Sequence, residues 1–131
     1  MNFGLENIED YTKDLPWMLK ALAQLEKEFL HEQWTFRKPI HPETAFLEIV
    51  KELHPKLDAL IHQRGSSYTR QLLYKIDLSE HQVAKANFLA PDSEFSEVLS
   101  KIVLKRCLQK VLIRNYYKSC EKGTLDEGLG K

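Results

Sequence analysis

Arg106, Lys110, Arg114 and Lys118 recur at every fourth position, so a helix carrying them presents a basic line with Tyr117 beside it. Phosphate groups are met by cations set in a row, and an aromatic neighbour adds a stacking surface. This stripe is therefore the candidate contact for a nucleic acid. It also has a structural use. Residues 1–60 carry seven basic and eleven acidic side chains, whereas residues 61–131 carry twelve and eight. Two parts of opposite charge attract each other, within one bundle or between two copies, and cations late in a helix also suit its dipole.

A second group is the run Arg64-Gly65-Ser66-Ser67-Tyr68-Thr69-Arg70. Two guanidiniums, hydroxyls and the free backbone N–H groups of a helix start are the chemistry that holds a phosphate or carboxylate, so Arg64, Ser66, Ser67 and Arg70 form a candidate small-anion site. The run lacks the Gly-Lys-Ser/Thr ending of a phosphate-binding Walker loop. An ordinary turn with a serine cap accounts for the same residues.

Five histidines raise the question of metal. Glu28 and His31 have the Glu-x-x-His spacing of di-iron bundles, which need a second such motif and two further helix-borne glutamates. The second motif is missing, and Phe29 rather than Glu28 falls on the apolar stripe. His54 and His62 flank Asp58 on one helical face, a spacing short of the usual ligand patterns. Serine-elbow, His-Glu-x-x-His and dinucleotide-binding glycine patterns are missing too, so the sequence assigns no catalytic residue, no metal ligand and no cofactor. Trp17, Trp34, Phe36 and Phe46 read as packing residues.

The elements that must hold these groups are set by composition and periodicity. The chain has 131 residues, 43% of them hydrophobic and 29% charged, with equal numbers of basic and acidic side chains. That excludes a disordered or collagen-like chain, gives no global pull toward nucleic acid or membrane, and suits one core without staples. The N-terminus is acidic and broken by polar residues, unlike a secretory signal, and no stretch approaches the roughly 18 apolar residues of a membrane span. With two cysteines and no Cys-x-x-Cys pair, a reduced cytoplasmic setting is expected.

Helical periodicity is the dominant pattern. Asp14-Leu15-Pro16 opens a first helix, whose stripe Leu15, Met18, Leu22, Leu25 and Phe29 is widened by Leu19, Ala23 and Leu30 and runs to about Gln33. Pro42 opens a second, with Phe46, Val50, Leu53, Leu57 and Leu60 in phase across Pro55, which predicts a kink rather than a break, and with Gly65 as its cap. Residues 66–78 fit a helix or an alternating strand. Helix is preferred, because a lone strand would leave its backbone groups unpaired. Ser79 and Gln82 form a capping box for a short helix to about Asn87.

Asp92 or Ser93 caps a last helix from Glu94 to about Ser119, apolar over most of its circumference, which makes it the centre of the bundle or a homodimer surface. The expected architecture is all-α, an irregular up-down bundle of four main helices plus one short helix. Residues 1–119 form a single helical domain, and residues 120–131 a flexible C-terminal tail. The functional expectation is a protein-interaction or regulatory module without catalysis, self-association through the last helix included. Nucleic-acid binding through the Arg106–Lys118 stripe and a small-anion or metal-binding enzyme are the alternatives.

Overall fold

The computed structural model describes residues 8–89 and 94–128, with the side chains of Ser66 and of residues 119–128 outside the description. Among the described residues the chain is all-α, with no strand. Five α-helices, α1 (Ile8–Tyr11), α2 (Leu15–Glu28), α3 (Ala45–Lys75), α4 (Glu80–Leu89) and α5 (Phe95–Gly128), are joined by one 3-10 turn at Leu30–Glu32.

Local signals place several of the helix ends. Asp14 caps α2, its carboxylate accepting the Trp17 N–H at 3.1 Å with Pro16 in the first turn. The Ser79–Gln82 box closes in both directions. Gln82 N–H donates to the Ser79 hydroxyl at 3.1 Å, and Ser79 N–H donates to the Gln82 amide oxygen at 2.8 Å. The end of α3 is a Schellman turn, with Leu78 N–H bonded to Leu73 C=O and Asp77 N–H to Tyr74 C=O. Asp77, not glycine, takes the left-handed position there, at φ 63°.

α5 is the central element, packing against α1, α2, α3 and α4. Its Val98, Leu99, Val103, Leu104, Cys107, Leu108, Val111 and Leu112 are buried. All of these but Val98 join Met18, Leu22 and Leu25 of α2 and Ile49, Leu53 and Leu57 of α3 in one core. The apolar breadth of this helix is thus used inside a single chain. Its entry is tied to α3 by polar bonds, with His54 Nε2 2.9 Å from Ser96 Oγ and 3.3 Å from the Glu94 carboxylate.

Several boundaries differ from the periodic reading. α2 ends at Glu28 rather than near Gln33, and Leu30 and Ala23 are exposed instead of widening the core band. The cause is Trp34, which stacks on Phe29 at 4.6 Å and requires the chain to reverse through the 3-10 turn and a left-handed Gln33. Pro42 lies ahead of α3, whose cap is Thr44. α3 is helical through Pro55, and its non-helical residue is Gly65, at φ 82° and ψ −178°. Pro55 is exposed, so the carbonyl it leaves without an intrahelical partner lies on the solvent side of α3. Residues 66–75 are helix, not strand.

The backbone of α5 continues past Ser119 to Gly128, so helix extends into residues placed in a tail by composition. The proposed caps Asp92 and Ser93 lie outside the described residues. The short α1, unread in the sequence, buries Ile8 and sets Tyr11 edge-on against Trp17 at 5.8 Å.

Gly65 adopts a conformation open to glycine alone, although a Cβ there would meet nothing within 4 Å. Gly65→Ala should therefore cost about 1–3 kcal/mol through backbone strain alone, measured as a lowered urea midpoint with an unchanged slope. An unchanged midpoint would show that the bend does not need glycine.

Candidate functional site: a cation-lined groove beside a buried ion pair

The basic stripe does not stay on one surface. Four residues advance an α-helix about 40° beyond a full turn, so the line winds around α5 as it climbs. Arg106 and Lys110 face inward, with side chains 20% and 17% exposed. Arg106 donates from Nε to Ile76 C=O at 3.4 Å and lies 3.6 Å from the Asp77 carboxylate. The Lys110 ammonium donates to Glu28 of α2 at 2.7 Å, with Asp77 at 3.7 Å on its other side. Glu28 is itself only 11% exposed. With Lys105 bonded to Glu9 at 2.6 Å, the acidic first part and basic second part of the sequence meet within one chain.

A relay runs from this pair to the surface. Glu28 accepts a 2.8 Å bond from the buried Gln24 amide, whose oxygen accepts the Arg114 guanidinium at 2.5 Å. Glu28 opposite Lys110 and Gln24 opposite Arg114 make α2 and α5 antiparallel. Beyond Arg114 the two helices border a groove of about 300 Å³, lined by Trp17, Lys20, Ala23, Gln24 and Lys27 from α2 and by Val111, Arg114, Asn115 and Lys118 from α5. Four of these side chains are cationic and none is a carboxylate. Lys20 sits over the Trp17 ring at 4.4 Å, a cation–π contact that fixes its ammonium beside the groove. Among the described residues, Lys27 and Lys118 have no carboxylate within 4.0 Å.

The periodic reading thus supplied Arg114 and Lys118 but missed Lys20, Lys27 and Trp17. A signal for the lysines was present, since Lys20 and Lys27 are seven residues apart and so share one side of α2.

The Arg64–Arg70 group is divided by the bend at Gly65. Arg64 lies over the Tyr68 ring at 5.3 Å, and Arg70 pairs with Glu80 at 3.3 Å. Ser67 is exposed, and the Ser66 side chain lies outside the description. The Tyr68 phenol, pushed above its usual range by burial and then by Glu32, donates to the Glu32 carboxylate at 3.3 Å. His62 turns to Asp58, its Nδ1 2.7 Å from the Asp58 carbonyl oxygen, while His54 turns to Ser96. Among the described residues no three metal-ligating side chains converge. No family model, curated protein or solved structure matches the chain.

Cys107 lies in the core beside the ion pair, and burial pushes its thiol from 9.0 up to about 12, with Glu28 adding to the rise and Lys110 and Arg106 opposing it. In a Cys120→Ser background, Cys107 should stay unreactive toward a thiol reagent at pH 8 until the chain unfolds. Because the folded chain keeps this proton after the unfolded thiol has lost it, stability should fall between about pH 9 and 12. The slope from this group is about 1.4 kcal/mol per pH unit, and Cys107→Ala should remove it. Rapid native labelling would contradict the burial.

Replacing Lys110 by methionine leaves Glu28 without its ammonium in a largely dry setting and should cost about 2–4 kcal/mol in urea unfolding. The double variant Lys110→Met/Glu28→Leu should recover most of that loss. Additive losses in this cycle would show that the two groups are uncoupled.

Proposed function

We propose that this chain is a protein-interaction module that grips an acidic stretch of its partner in the groove between α2 and α5. The observation that carries the reading is the groove itself. Four cations from two helices line one concave surface with no carboxylate among the described lining residues, in a chain whose net charge is zero. Charge set apart in this way steers and orients a partner of opposite sign. The exposed Phe88 and Leu89 of α4 and Tyr74 at the end of α3 offer further apolar surface that a protein partner can cover. Self-association through α5 has less to draw on, since the apolar side chains that motivate it are packed against α1–α4.

The setting we assign is the reducing cytoplasm, supported by a buried free thiol at Cys107. Nucleic-acid binding is the second reading. What favours it is that Arg114 and Lys118 of the basic stripe do border the groove. Against it, Arg106 and Lys110 are engaged by Asp77 and Glu28, which halves the line available to a phosphate backbone.

Labelled polyglutamate and a labelled single-stranded RNA, titrated at about 50 and 200 mM salt, separate the two readings. Polyglutamate should bind at the lower salt and weaken at the higher. Lys27→Glu/Lys118→Glu should lower its affinity at least about tenfold while the circular dichroism spectrum is unchanged. RNA binding without polyglutamate binding would replace this reading by the second one, and an unaffected double variant would remove the groove from either.

A further inference from the structure

We propose that the group seated in the α2/α5 groove is a phosphate carried on a side chain of the partner, so that phosphorylation of the partner switches binding on. The inference rests on the interaction reading above and adds the chemistry of the ligand and its regulation.

Charge is the first argument. Lys20, Lys27, Arg114 and Lys118 bring four positive charges to a groove of about 300 Å³ without a compensating carboxylate among its described lining residues. One carboxylate brings a single charge and two oxygens. A phosphomonoester brings about −1.5 to −2 charges and three strong acceptor oxygens, enough to engage cations from both walls at once.

Orientation is the second argument. Arg114 is held from behind by the Gln24 amide oxygen at 2.5 Å, and Gln24 is locked by Glu28, which Lys110 anchors at 2.7 Å. A guanidinium fixed in this way is preorganised to offer its remaining N–H groups as a fork, the geometry that suits phosphate oxygens. Gln24 and Glu28 are positioning residues here, acting through Arg114.

The third argument concerns what else the groove would accept. Single-stranded nucleic acid is recognised by bases stacked on open aromatic faces. Trp17, the groove's one aromatic lining residue, packs on the core, meets Tyr11 edge-on and carries Lys20 over its ring at 4.4 Å. The lysine occupies a place that a base would need, and its ammonium is left beside the anion. Room for one phosphorylated side chain, with Lys20 and Arg114 held in place beside it, fits the geometry better than a stacking platform.

The test uses the full chain and a short fluorescent peptide of glycine and alanine in three forms, carrying one phosphoserine, serine or glutamate. The phosphoserine form should bind at least about tenfold more tightly than the other two, and inorganic pyrophosphate should displace it. Arg114→Lys, which keeps the charge and loses the fork, should weaken the phosphopeptide severalfold, and Lys27→Gln, on an exposed position of the other wall, provides an independent variant.

Lowering the pH from about 7.5 to 5.5 should weaken binding severalfold, because the phosphate loses its second charge near pH 6 whereas a carboxylate stays ionised until about pH 4. The charged groups facing the ligand are Lys20 and Lys27 from α2 and Arg114 and Lys118 from α5, with Glu28 behind Gln24. No histidine lines the groove to titrate in that window. Equal binding of the glutamate and phosphoserine forms would overturn the phosphate proposal and leave the acidic-partner reading standing. Binding of inorganic phosphate as tight as the phosphopeptide would overturn the claim that the partner carries the group. Tighter binding of single-stranded RNA, with all peptides inert, would overturn both.

Discussion

A lysine ammonium removed from water needs an anion at hydrogen-bond distance, and an anion so placed must itself be held. Lys110 on α5 meets this condition with Glu28 on α2, and the contact fixes how the two helices face each other. Once Glu28 is committed to Lys110, its neighbour one turn earlier, Gln24, is set opposite Arg114, and the antiparallel register of α2 and α5 follows. The Schellman turn after α3 completes the arrangement by presenting Asp77 to the same cations. Asp77 takes the left-handed position there, a conformation a short polar side chain tolerates better than most.

The same constraint divides the surface chemistry. Cations on the inner part of the winding stripe are neutralised by the rest of the chain, and those farther along α5 are left to the groove. The groove is therefore a consequence of packing rather than a separate insertion. Its cations stand on helices whose other faces are fixed in the core, which gives the site a rigid support. The relay through Gln24 and Glu28 connects the orientation of an exposed guanidinium to a buried ion pair, linking stability and recognition in one set of bonds.

Much of the fold was legible because it is written in local chemistry. The Asp14 cap, the Ser79–Gln82 box and the special role of Gly65 each depend on residues close in sequence, and the breadth of apolar positions in α5 already marked it as a helix needing several neighbours. The misjudged elements depended on distant contacts or on weaker local signals. Leu30 continues the periodic stripe of α2, yet the stacking of Trp34 on Phe29 ends the helix before it. Pro55 lies within helical backbone, so α3 runs on through it, and the non-helical residue of α3 is Gly65, where glycine permits a positive φ.

The sequence by itself determined the all-helical character of the described residues, the starts of α2 and α4 and a line of cations at four-residue spacing, because capping and periodicity act within a few residues. Tertiary structure alone decided which of those cations are paired and which remain to bind. The reason is geometric. A four-residue repeat drifts around its helix, so the fate of each charge depends on what packs beside it. Lys20 and Lys27 became partners of Arg114 and Lys118 only through the antiparallel seating of α2 on α5, a relation between residues some ninety positions apart.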